Sequence, residues 1–116
     1  MSEDGDPQGF YNAFMSAADG QGFVMFVFKD GVISGADPLG VKFDGTYIKS
    51  ETGFFAKIIV SVPAHGEVIQ GAKAGPEGMQ YPVELVLEPN FWEKPFVEVS
   101  TPLGKVNARF ERLRGI

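Results

Sequence analysis

The chain has no cysteine, so disulfide staples and thiolate chemistry are excluded. Its apolar runs are short, and none reaches the ~18 residues that a membrane-spanning helix needs. The N-terminus, MSEDGDPQG, is acidic and lacks the apolar core of a signal peptide. These features point to a cytoplasmic bacterial protein with residues 1–8 as a disordered acidic tail. Positive charge is also scarce: 10 Lys and Arg stand against 15 Asp and Glu, for a net charge of −5. Phosphate backbones and anionic membranes need a basic surface, so nucleic acid is not the expected partner. One basic cluster, Lys105, Arg109, Arg112 and Arg114, reads as a solvated strand face. Helix signals are few, the best being Asp37 as a cap with Pro38 in the first turn of one short helix.

What the chain does have is turns and aromatic rings. There are 15 Gly, 8 Pro and 11 Phe among 116 residues, and 44% of residues are hydrophobic. That is enough for one domain with its own core, placed here at residues 9–116. Turn signals recur at short intervals: Asp19-Gly20, Asp30-Gly31, Asp44-Gly45, Thr52-Gly53, the Gly- and Pro-rich stretch 64–78, Pro89-Asn90 and Pro102-Leu103-Gly104. Short strands with this spacing predict an antiparallel sandwich or barrel.

Strands are expected at Gly9–Ala18, Phe23–Lys29, Val32–Gly35, Phe54–Val62, Tyr81–Leu87, Phe96–Thr101 and Lys105–Leu113. Val41–Asp44 and Thr46–Lys49 form either a tight hairpin about Asp44-Gly45 or one bulged strand, completing eight. Val83, Leu85 and Leu87 share one face opposite Glu84, Val86 and Glu88, and Val106, Ala108 and Phe110 oppose Asn107, Arg109 and Glu111. Such strands bury one face and wet the other. Phe23–Phe28 (FVMFVF) is apolar on both faces, and Ile58 and Ile59 share that character. A core covers one side; a chain segment, a second subunit or a ligand covers the other. Phe23, Met25, Phe26, Phe28, Ile58 and Ile59 are therefore the candidate dimer or cavity surface.

No constellation for catalysis emerges. His65 is the only histidine and stands in the 64–78 loop near Glu67, with no nucleophile motif beside it. Asp30, Asp37 and Asp44 are spaced seven residues apart, unlike the dense ligands of a calcium loop. Their expected roles are turns at Asp30 and Asp44 and a cap at Asp37. Gly20-Gln21-Gly22 lacks the helix and Lys-Ser/Thr of a phosphate cradle. Trp92 beside Phe91 reads as a plug for one end of the fold. The expectation is a protein with no enzyme activity, no cofactor and no metal. A small barrel either fills its interior or encloses a cavity for one small apolar ligand, and the Phe-rich composition suits both.

GFYNAF (9–14), GQGFVMFVFKDGVISGAD (20–37) and FDGTY (43–47) together resemble the GrlR-like family. VELVLEP and KVNARFERL are compatible with it in order and spacing. The resemblance implies an eight-stranded up-and-down, lipocalin-like barrel, usually a homodimer. It implies a negative regulator of type III secretion genes that acts by protein contact with a transcriptional activator. A hydrophobic cavity and lipid binding are implied as well. The family's regulator binds its activator through an acidic loop after the aromatic-Gly-x-Tyr strand. The corresponding residues here, Lys49, Ser50, Glu51 and Thr52, retain one acid and gain a lysine. They are the candidate partner-binding residues, and the family's own partner does not transfer with them.

Overall fold

A computed structural model describes residues 6–116. Eight strands follow one another in an antiparallel meander: β1 (Gly9–Ala17), β2 (Gly20–Lys29), β3 (Val32–Ala36), β4 (Lys42–Ser50), β5 (Gly53–Val62), β6 (Met79–Leu87), β7 (Val97–Thr101) and β8 (Gly104–Gly115). A single 3-10 turn, Phe91–Glu93, is the only helical element among the described residues. The spatial order is β6-β5-β4-β3-β2-β1-β8-β7, so the first and last strands pair and the sheet curls into a nearly closed barrel. The remaining seam lies between β6 and β7, which approach each other without ladder hydrogen bonds.

Local chemistry explains most of the turns. Asp30 and Gly31 both take positive φ, 51° and 81°, as a tight hairpin turn requires. Asp37 closes the β3–β4 turn, its Oδ1 accepting from the amides of Leu39 and Val41 at 2.9 Å each. No helix starts there; the cap satisfies a loop instead.

Asp44-Gly45 corrects the hairpin alternative. The chain runs straight through it as part of β4, with Asp44 opposite Ser34 and Ile59, and Gly45 opposite Ile33 and Ile58. The inward rhythm of Phe43, Gly45 and Tyr47 continues across the pair, which no reversal would allow. Gly45 is needed for space: a Cβ there would run into the backbone of Lys57 and Ile58 in β5.

Residues 1–5 of the expected tail lie outside the described residues. Residues 6–8 are held rather than frayed. Pro7 is buried, its carbonyl accepts the Tyr11 hydroxyl, and Gln8 Oε1 accepts from the amide of Asp30 at 2.9 Å.

The barrel has two unlike ends. The end holding the β2–β3 and β4–β5 turns is closed by rings. Tyr11, Phe28, Phe91 and Phe110 are buried there, with Trp92, Tyr47 and Phe54 packed against them. Phe91 meets Phe110 edge-on at 5.0 Å and Tyr11 meets Phe28 edge-on at 5.1 Å, the separations that aromatic pairs favour. The expected plug role of Trp92 and Phe91 is what the 3-10 turn delivers. Arg112 seals the plug from outside, with its guanidinium 4.4 Å from the Trp92 ring centre. That corrects the reading of the basic cluster: Lys105, Arg109 and Arg114 are exposed, but Arg112 is half-buried among rings.

Candidate functional site

The opposite end of the barrel is hollow. A cavity of about 480 Å³ runs inward from the rim formed by the β1–β2, β3–β4 and β7–β8 turns and the long β5–β6 connection. Inward side chains build its wall: Met15 from β1, Val60 from β5, Val83 from β6 and Val106 from β8. Phe26, Phe43 and Phe110 form its floor and separate it from the aromatic plug. Alternation dictates this: each strand sends every second side chain inward, and the rim-side ones are aliphatic.

Residues 63–78 make a strap over the rim. The segment is folded on itself by backbone hydrogen bonds, among them His65 N to Gly75 O at 2.9 Å, Ala74 N to Gly66 O at 2.8 Å and Val68 N to Ala72 O at 3.0 Å. It is tied to the β1–β2 turn by Asp19 N donating to Ile69 O at 2.9 Å. The Ile69 side chain packs over Gly20 and Gly22 of β2. Val68, Ile69 and Gln70 thereby line the cavity. Gln70 also spans the open seam, its Nε2 donating to the Tyr81 hydroxyl of β6 and to Thr101 Oγ1 of β7, both at 3.2 Å. Burial pushes the Tyr81 pKa up, and the Gln70 hydrogen bond opposes it only in part, so the hydroxyl is neutral at physiological pH.

The candidate surface residues divide three ways. Phe26 and Ile58 line the cavity, and Phe23 borders it at the rim. Phe28 belongs to the plug and reaches neither cavity nor surface. Phe23, Met25 and Ile59 lie on the outward registers, with the Phe23 ring tilted against Phe14 at 5.4 Å. Thus Val24, Phe26 and Phe28 are the buried side of FVMFVF. Its outer side joins an apolar patch with Phe10 and Phe14 at 38% exposure, Met25 at 48% and Val32 at 49%.

Lys49, Ser50, Glu51 and Thr52 form the β4–β5 turn at the plugged end, remote from the cavity. All but Ser50 are exposed. His65 is exposed on the strap with φ 61°. Asp30 and Asp37 stand at opposite ends of the barrel, with Asp44 on the strand between, so the three carboxylates do not converge. Among the described residues no three acidic or histidine side chains group as metal ligands would.

Sequence reasoning did not single out Val68, Ile69, Gln70, Tyr81 or Thr101 as site residues. One signal was present: Val68-Ile69 is an apolar pair inside an otherwise Gly- and Pro-rich segment. No family model, no curated protein and no solved structure matches the chain.

Proposed function

We propose that the chain is a binding protein for one small apolar molecule, held in the barrel cavity beneath the 63–78 strap. The observation that carries this reading is the cavity itself: about 480 Å³, walled by aliphatic and aromatic side chains. That volume falls within the roughly 300–1,000 Å³ of small-molecule pockets. A barrel interior packed solid by Phe26, Phe28, Ile58 and Leu85 would have contradicted it; instead Phe26, Ile58 and Leu85 border open space. The test is a fluorescence titration with Nile red, an uncharged apolar dye. One saturable site per chain is expected, lost in Val83→Phe and in Val106→Phe, which fill the wall. Dye binding unchanged in both folded variants would contradict the reading.

A second reading, protein contact, rests on a different observation. Phe10, Phe14, Met25 and Val32 form an exposed apolar face across β1–β3, and faces of this kind on soluble proteins usually mark contacts. The GrlR-like resemblance supports a second copy of the chain, or a transcriptional activator, as the occupant. Met25→Asp and Phe14→Asp are expected to abolish self-association in sedimentation experiments without changing Nile red binding. A monomeric wild-type chain at micromolar concentration would contradict the dimer.

A further inference from the structure

The rim of the cavity carries acids and no bases. Asp37 and Glu67 line it, and no lysine or arginine does. Lys42, Lys73 and Lys105 stand at the same end. Lys42 begins β4 on its outward register and Lys105 faces Glu98 at 3.8 Å, while Lys73 stands directly opposite Glu67 in an antiparallel bridge and offsets part of its charge, leaving Asp37 as the principal acid of the rim. Asp37 is fixed in place by its two backbone donors, so its charge cannot swing away.

The same cavity is lined by a neutral polar pair with hydrogen-bonding capacity left over. The Tyr81 oxygen accepts from Gln70, but its own O–H has no acceptor among the described residues. Both Gln70 Nε2 hydrogens are engaged, while its Oε1 has no donor among the described residues. A ligand hydroxyl at this point would accept from Tyr81 and donate to Gln70 Oε1, completing both. A carboxylate would gain the first bond and lose the second, and would stand near two like charges. Burying an incompletely paired charge is the larger cost.

Resting on the cavity reading above, we propose that the site selects an uncharged amphiphile, an apolar body ending in a hydroxyl, and rejects the corresponding carboxylate. Tyr81 and Gln70 read the hydroxyl, and Asp37 with Glu67 exclude the anion. By scaling from the ~150 Å³ apolar cavity that holds benzene, the space takes a body of roughly ten to twenty non-hydrogen atoms.

The experiment is displacement of bound Nile red from the full chain at pH 8 by decanol and by decanoate. Decanol is expected to compete at least about tenfold more strongly than decanoate, from like-charge repulsion at the rim. Tyr81→Phe, which keeps the ring, is expected to weaken decanol about fivefold, the loss of one ordinary hydrogen bond. Glu67→Gln, at an exposed position, is expected to strengthen decanoate severalfold. Decanoate competing as well as decanol overturns the selectivity while leaving the cavity reading intact. Decanol unaffected by Tyr81→Phe removes the hydroxyl contact. Failure of Nile red itself to bind overturns both readings.

Discussion

Tyr11 shows how single side chains fix the closed end. It is buried among Phe28, Phe91 and Phe110, and its one polar atom is satisfied by donating to the Pro7 carbonyl. Burial raises its pKa well above the ordinary tyrosine value near 10, and burial raises Tyr47 and Tyr81 too. The folded state therefore holds these protons more tightly than the unfolded chain. The stabilisation is complete below about pH 10 and fades as pH rises above it. Melting temperature is expected to hold between pH 7 and pH 9 and fall steeply above pH 10, less steeply in Tyr11→Phe. A Tyr11→Phe curve that parallels wild type would contradict the assignment. Phe91 tests the plug more severely. Its ring meets four others, so Phe91→Ala is expected to cost about 3–5 kcal/mol in urea denaturation, as deeply buried phenylalanines do. A loss below about 1 kcal/mol would show the plug to be dispensable, since surface changes cost that little. Arg112 was misread from the sequence: its charge argued for a solvated face, although its position continues the inward phase of Val106, Ala108 and Phe110.

At the scale of elements, what could be read from the chain and what could not divide by the range of the forces involved. β1, β2, β6 and β8 were legible within a few residues at either end, because alternation and turn chemistry are written locally. Asp30-Gly31 turned as its residues demand; Asp44-Gly45 did not, because pairing with both β3 and β5 outweighed a local preference. The strap was not legible as a strap. Its length marked it as more than a connector, but Gln70 reaching Thr101 is a contact between distant segments that no local pattern encodes. The seam it crosses lies between two edge strands. Pro82 in β6 occurs where a sheet tolerates proline, on an edge. Removing the clasp should loosen this region alone. In Gln70→Ala, hydrogen exchange of strap amides such as Val68 and Ala74 is expected to quicken severalfold, with global stability falling by about 1–2 kcal/mol or less. Unchanged exchange would mean that the strap is held by its own hydrogen bonds and by Asp19 alone.

For the molecule as a whole, the two ends divide the labour. Rings close one end and supply rigidity; aliphatic walls leave the other open and supply capacity. The sequence carried the amount of aromatic material but not its distribution. Whether a barrel is filled or hollow depends on which strand ends the large residues occupy once all eight are in register. Here Tyr11, Phe28, Tyr47, Phe54 and Phe110 gather toward one end, leaving Val60, Val83, Val99 and Val106 at the other. The outer face across β1–β3 lies on the opposite register from the cavity wall and meets the cavity only at the rim, at Phe23. The most direct test of the central claim is amide chemical-shift mapping of the full chain with decanol. Saturable shifts are expected at Gly22, Leu39, Val68, Ile69, Gln70 and Val83, with Phe28, Tyr47 and Phe91 unmoved. Shifts confined to Phe14, Met25 and Val32, or none that saturate, would contradict it.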